Sequence, residues 1–114
     1  MSAVPAARDN NLMNILTPAQ FRVTILVASG LKNTEIARLV NTSEGVVKNF
    51  IRDIFARAEV SNRVELALRY TNELETGMYD RARLDHETAE LESRAQRLRR
   101  AGQAMFARLP PTPS

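Results

Sequence analysis

Two cations and an amide lie at helical spacing within a stretch that also carries a long apolar face. Lys48, Asn49 and Arg52 would share one side of a helix, and the small residues Gly45 and Ala56 lie at the edges of that side. Lysine and arginine can donate to guanine O6 and N7, and asparagine can pair with adenine N6 and N7. The stretch therefore has the chemistry of a helix that can enter a DNA major groove and contact base edges.

The opposite side of this helix must hold it in place. Its apolar residues recur at i, i+4, i+7 and i+11, which predicts one buried face made of Val47, Ile51, Ile54 and Ala58. Ser43 can cap the helix, because its hydroxyl can accept from a free N–H of the first turn. Glu44 adds negative charge at the positive end of the helix dipole.

Other capping residues and helix-terminating residues predict further helices. Thr17-Pro18-Ala19-Gln20 forms a capping box, and Gly30 ends the helix that follows it. Asn33 is predicted to cap a helix of two turns, and Ser61 or Asn62 to cap the helix 63–76.

The last two helices carry distinctive faces. On the helix 63–76, the predicted inward residues are Ala67, Tyr70 and Leu74, and a second stripe contains Val64, Leu68 and Thr71. That stripe is either additional core or a protein contact. Asp80 can cap a long final helix, which Pro110-Pro111 ends.

The composition fits an all-α protein and argues against several functions. The 114 residues include 44% apolar but only 5% aromatic residues and no Trp, which suits small helices packed through aliphatic side chains. The net charge of +3 and a pI near 9.9 hint at a polyanionic partner. There is no Cys, and the one histidine, His86, is expected at the surface, so we predict no metal site and no cofactor. No catalytic arrangement or phosphate-cradling glycine loop is present, and an enzyme is not expected.

The same sequence lacks membrane signals. No apolar run approaches the ~20 residues that a membrane-spanning helix needs. The N-terminus has no apolar signal core, so we expect a cytoplasmic protein without a membrane partner.

Several short motifs occur in one order and spacing that resemble a known family. They are Leu16-Thr17-Pro18, Gly30-Leu31-Lys32-Asn33-Thr34-Glu35-Ile36-Ala37, Ser43-Glu44, Val47-Lys48-Asn49 and Val60-Ser61-Asn62-Arg63. Together they resemble the LuxR-type (GerE/FixJ/NarL-like) helix-turn-helix domain from about residue 16 to residue 74. The resemblance implies four helices, of which the third enters the major groove and the fourth commonly forms a dimer.

Carried over by position, this resemblance assigns residues to DNA and to a partner subunit. Lys48, Asn49 and Arg52 would contact bases, and Val64, Leu68 and Thr71 would form a twofold interface. Phosphate contacts would come from cations and helix N-termini: Lys32, Asn33, Ser43 and Arg63.

Four positions depart from the family pattern. Val46 stands where Thr is common, and Thr34 stands where Lys is frequent, so two phosphate contacts are in doubt. Phe50 replaces a frequent His and is expected to pack. Glu59 replaces a common Gly, which could alter the turn after the third helix.

The domain boundaries follow from these features. We predict a flexible tail at 1–14, a helix-turn-helix domain at 15–76, a long helix at 78–109 and a disordered tail at 110–114. The chain is too short to place a receiver or ligand-sensing domain before the helix-turn-helix. A regulatory signal is therefore expected to act through the final helix, a partner or the abundance of the protein.

The final helix carries a heptad pattern. Leu84, Leu91, Leu98 and Met105 recur every seven residues, and acidic residues in the first half oppose arginines in the second half. A parallel pair would place like charges together, so we hypothesise an antiparallel association between protomers or with another protein. The alternative is that these residues fold back onto the domain. The arginines from 94 to 100 are expected to be solvated or ion-paired rather than a second DNA site.

Two hypotheses of function follow. The first is a bacterial transcriptional regulator that binds double-stranded DNA sequence-specifically as a homodimer through its third helix. The second is an adaptor whose helix-turn-helix and C-terminal helix bind a transcription component, such as RNA polymerase or a regulatory protein, rather than DNA.

Overall fold

A computed structural model describes the backbone of residues 10–106 and the side chains of residues 10–101. The described part of the chain is all-α, as the sequence predicts. Its helices are α1 (Leu12–Ile15), α2 (Pro18–Ala28), α3 (Asn33–Leu39), α4 (Glu44–Ala58), α5 (Arg63–Glu75) and α6 (Arg81–Phe106).

Most of the predicted helix starts are confirmed. Thr17 and Gln20 form a reciprocal capping box, and Ser43 Oγ accepts from Val46 N at 3.3 Å. Asn62 caps α5, and Asp80 Oδ2 accepts from Arg83 N at 3.0 Å at the start of α6.

The cap of α3 was assigned to the wrong residue. Lys32 is the N-cap and Asn33 is the first helical residue. Glu35 Oε1 accepts the Lys32 amide hydrogen at 2.8 Å, so a carboxylate reaching back from the first turn satisfies the N-terminus.

The core forms around α2, which packs against α3, α4, α5 and α6. Phe21, Ile36, Ile54 and Leu66 are almost completely buried there. The predicted buried face of α4 is confirmed, since Val47, Ile51, Ile54 and Ala58 are each at most 5% exposed. Burial of this face fixes which side of α4 points outward.

The inward face of α5 differs from the prediction. Tyr70 is buried as expected, but Leu66 and Glu73 complete the face, whereas Ala67 is half-buried and Leu74 is 40% exposed. The buried side of α5 is therefore rotated from the predicted one, and the carboxylate of Glu73 is buried where the apolar pattern predicted the side chain of Leu74.

Glu73 can be buried because its oxygens have several donors. Leu12 N donates to Oε1 at 2.8 Å, the Tyr79 hydroxyl donates to Oε1 at 2.9 Å, and Arg69 Nε donates to Oε2 at 2.9 Å. Burial, followed by the hydrogen bond to Glu73, raises the pKa of Tyr79 far above its ordinary value. This network joins α5 to the chain before α2 and to the segment before α6.

The sequence predicts a flexible tail at 1–14 whose last residues Leu12 anchors against the domain. Residues 10–14 are anchored in this way, and they include the start of a helix that was not predicted. Leu12 and Met13 lie in α1 and are at most 2% exposed. Asn11 caps α1 and donates from Nδ2 to the Met78 carbonyl at 2.9 Å. Two buried apolar side chains and four long-range hydrogen bonds therefore anchor this segment to α5, to α6 and to the residues between them. Residues 1–9 lie outside the described part, as does the predicted tail 110–114.

The first half of α6 folds back onto the domain. Leu91 is 6% exposed within the core, and Leu84 packs half-buried against it. Glu87 is also buried and accepts from Arg22 Nη1 of α2 at 2.8 Å. The assignment of Leu91 to a coiled-coil dimer is therefore corrected, because its side chain packs in the core of the same chain. Leu98 is 38% exposed, and the side chain of Met105 lies outside the described residues.

Candidate nucleic-acid interface

The polar strip on α4 points away from the core. Lys48, Asn49 and Arg52 are all exposed, on the side opposite the buried Val47 and Ile54. None of the three forms a hydrogen bond or an ion pair with another described residue. Their donors are therefore free to contact an external partner.

The edges of this strip are open. A Cβ at Gly45 would meet nothing within 4 Å, and Ala56 is exposed. Val46 is 52% exposed on the first turn, whereas Phe50 is half-buried and packs against the core, as expected for a residue that replaces histidine. Because the residues beside these donor side chains are small, α4 can lie close to a grooved surface.

Hydrogen bonds with neighbouring helices hold the C-terminal end of α4 in place. Arg69 Nη1 donates to the Ala58 carbonyl at 2.7 Å, and Arg57 Nη1 donates to Gln20 Oε1 at 3.3 Å. At the other end, the Ser43 cap defines the first turn. The strip is therefore carried on a helix that is capped at its N-terminus and is anchored to the domain at its C-terminal end and along its buried face.

A second exposed surface lies on α5. Val64 is 67% exposed and Leu68 is 65% exposed, and the exposed Thr71 continues the stripe. These residues lie opposite the buried Leu66 and Tyr70, so they are not part of the core formed by the described residues.

Comparison with known proteins identifies the fold that carries both surfaces. Residues 14–70 match the family described as bacterial regulatory proteins, luxR family (GerE). The chain belongs to the LuxR family. This confirms the resemblance drawn from the sequence motifs and makes α4 the third helix of the family's four-helix unit.

Three relatives each match about half of the chain. A monoamine regulon transcriptional regulator from Klebsiella aerogenes is 39% identical over 61 residues, which are 54% of this chain and 27% of the relative. The putative HTH-type transcriptional regulator YhjB of Escherichia coli (strain K12) is 33% identical over 61 residues, covering 54% of this chain and 30% of the relative. The probable transcriptional regulator ycf29 of Cyanophora paradoxa is 36% identical over 59 residues, covering 52% of this chain and 28% of the relative.

The chain thus spans less than a third of the length of these curated relatives. No solved structure matches it. The matched segment contains α4 and most of α5 but ends before α6, so the LuxR comparison says nothing about the C-terminal helix.

The predicted phosphate-contacting residues fall into two groups. Lys32 and Ser43 are exposed at the starts of α3 and α4. Arg63 is instead half-buried, and it donates from Nη1 to Asn33 Oδ1 at 2.6 Å and from Nη2 to the Leu31 carbonyl at 2.7 Å. Arg63 and Asn33 therefore connect α5 to the loop before α3, which sequence reasoning missed because their partners are about 30 residues apart.

The turn after α4 has a left-handed residue, Glu59, at the position where the LuxR pattern commonly has glycine. Glu59 has φ 56° and ψ 44°, a conformation that glycine adopts without steric cost. Val60 N donates to the Phe55 carbonyl at 3.0 Å, which closes the end of α4 in the usual way for a left-handed cap. Glu59 therefore adopts the left-handed conformation that a glycine would favour at this position.

The described residues give few other leads. They contain no group of three or more histidine, aspartate or glutamate residues placed to hold a metal ion. Within residues 10–106, no helix combines the length and apolar character needed to cross a bilayer.

Proposed function

We propose that this protein is a transcriptional regulator that binds double-stranded DNA sequence-specifically as a homodimer, with α4 in the major groove. The observation that carries the proposal is the exposed and unpaired strip of Lys48, Asn49 and Arg52 on the third helix of a LuxR-family unit. The names of the three relatives describe transcriptional regulators, which supports the same function here.

The three side chains of the strip supply different information. Arg52 and Lys48 donate to guanine O6 and N7, whereas Asn49 can both donate to adenine N7 and accept from N6. Each well-formed pair discriminates against the wrong base by about 1–3 kcal/mol. Three such contacts give one half-site a defined but short sequence.

Contacts with the DNA backbone would orient α4 in the groove. Lys32 and the N-terminal turn of α4, with Ser43 at its start, are exposed, and they would contact phosphates beside the groove. Such contacts contribute affinity without reading sequence, so they set the salt dependence of binding.

The stripe on α5 supports the dimer. Val64 and Leu68 expose large aliphatic side chains next to each other, and a twofold axis through this stripe would bury both copies. Two recognition helices ~34 Å apart would read half-sites about 10 bp apart.

The test of base contact is the double variant Lys48→Ala/Arg52→Ala. Sites bound by the unaltered protein would first be selected from random duplex DNA. We expect the variant to lose about 2–6 kcal/mol of specific binding, since two base contacts are removed, and to retain its circular dichroism spectrum and melting temperature. Fluorescence anisotropy with labelled duplexes measures the loss.

Arg81→Ala provides the matched control for that experiment. Arg81 is 88% exposed at the start of α6, and its ion pair with Asp85 is 3.6 Å long at the surface. Specific binding should change little in this variant. Equal affinity of the double variant and the unaltered protein for the selected sites would contradict the proposal and favour the adaptor hypothesis.

A further inference from the structure

The charge of α6 changes sign along its length, and its basic end lies beside the turn that precedes α4. Residues 85–92 include four acids, whereas residues 94–100 include four arginines. Because Leu84 and Leu91 hold the first half of α6 against the core, the position of the arginines that follow is fixed relative to α3 and α4.

Two depressions show where these arginines lie. An open groove is formed by the end of α3 and the basic part of α6, with Arg38, Asn41, Arg94 and Arg97 along it. A cleft of about 250 Å³ adjoins α4, and Arg94 lines it together with Thr42, Val46 and Phe50. Arg94 lines both, so α6 reaches the flank of the recognition helix.

The cations along this surface are not neutralised by its lining. No acidic residue lines either the groove or the cleft. Arg94 pairs through Nε with Glu90 at 3.3 Å, which leaves its terminal nitrogens without a bond to a described residue. Arg38 and Arg97 are exposed and form no hydrogen bond or ion pair with the described part of the chain. The expectation that these arginines are solvated or ion-paired agrees with the structure, in which Arg97 is exposed and Arg94 has one ion pair.

The location of this surface indicates which anion it meets. Val46 lies on the first turn of α4, next to the strip that carries Asn49, and Thr42 lies in the turn before it. In helix-turn-helix complexes the first helix of the motif crosses the DNA backbone while the second lies in the major groove. A helix that packs beside α3 and reaches Thr42 therefore approaches the phosphates that border the groove.

We propose that Arg38, Arg94 and Arg97 form a phosphate-binding extension that contacts the DNA backbone next to the bases read by α4. This inference rests on the proposed function. The extension adds cations beside Val46, which lines the cleft together with Arg94, and on the face of α3 that carries Thr34 one turn before Arg38. Val46 and Thr34 are the positions at which this chain lacks a hydroxyl and a cation, respectively, that are common in the family. Guanidinium groups suit this role because they donate two parallel hydrogen bonds to a phosphate.

The extension contributes affinity but no sequence information. Each phosphate contact lowers the slope of log K against log salt by about 0.9 for duplex DNA. Loss of two arginines should therefore weaken binding to all sequences alike and reduce the magnitude of the slope by about 2.

The experiment compares Arg94→Gln/Arg97→Gln with the unaltered protein on a selected site and on an unrelated duplex, across a range of salt concentrations. We expect weaker binding to both duplexes by the same factor. We also expect the ratio of unaltered to variant affinity to fall about tenfold between about 50 and 200 mM salt. The melting temperature of each protein is measured in parallel.

Arg81→Gln/Arg83→Gln is the control, because it removes the same charge from the other end of α6. It should leave the salt slope close to that of the unaltered protein, although loss of the Arg83 bond to the Met13 carbonyl at 3.3 Å can lower the melting temperature. An equal change of slope in both double variants would mean that only net charge matters, and it would overturn the inference.

The remaining outcomes separate this inference from the proposed function. Specific binding by the unaltered protein with an unchanged slope in Arg94→Gln/Arg97→Gln would overturn the extension and leave the function standing. A lower melting temperature with an unchanged slope would likewise overturn it, since the arginines would then only stabilise the end of α3. Absence of specific DNA binding by the unaltered protein would overturn both.

Discussion

Glu59 occupies a backbone conformation that disfavours a side chain. Its φ of 56° lies in the left-handed region, where a Cβ approaches the following carbonyl oxygen at a cost of roughly 1–2 kcal/mol. Asn41, at the end of α3, has the same φ, but asparagine tolerates this region better than glutamate. The two turns that bracket α4 therefore differ in their local strain.

Replacement of Glu59 by glycine should stabilise the protein. Relief of the Cβ contact outweighs the extra freedom of glycine in the unfolded chain, and we expect the free energy of unfolding to rise by about 0.5–1 kcal/mol. Urea denaturation measures the change. Glu59→Ala is the control, because alanine keeps the Cβ, and an equal gain from alanine would show that strain is not the cause.

Residue-level predictions from sequence succeeded where exposure follows from helical period. The period of Val47, Ile51 and Ile54 fixes the opposite side of α4 as exposed, so the placement of Lys48 and Arg52 could be predicted. Glu73 and Arg63 could not be placed in this way, because burial of their charged groups depends on donors and acceptors from distant segments. Periodicity contains no information about such partners.

At the scale of elements, the long helices could be predicted from their caps and stop signals. The bounds of α2, α4 and α5 follow Thr17, Ser43 and Asn62, whose side chains all accept from the first turn. The short α1 was missed because four residues carry no period. The heptad leucines of α6 are compatible with self-association and with folding back onto the domain, since both bury the same face. The packing of Leu91 against the core distinguishes the two.

The exposed stripe of α5 leads to a prediction about assembly. Leu68→Glu should weaken homodimers by tenfold or more, because burial of a leucine is worth about 1.5–3 kcal/mol and the new carboxylates would meet across the twofold axis. Sedimentation equilibrium measures the dissociation constant. Ala89→Glu, at an exposed position of α6, is the control. A dimer of unchanged strength in Leu68→Glu would exclude this stripe as the interface.

At the scale of the whole molecule, α6 lies between two possible roles. Its first half is part of the hydrophobic core, and its second half carries the arginines to the side of the recognition helix. A partner that displaced the first half would also remove those arginines from their place beside α4. The docking of α6 therefore couples the stability of the domain to the charge next to the exposed polar strip of α4.

Whether α4 reads bases can be tested by site selection with the single variant Arg52→Ala. The variant and the unaltered protein would each select sites from the same random duplex pool, followed by sequencing. Because one guanine contact is removed, we expect the variant to lose its base preference at one position of each half-site and to retain its preferences at the other positions. Selection of an identical site at uniformly lower affinity would show that Arg52 contacts only phosphate, and it would contradict a base contact by this residue.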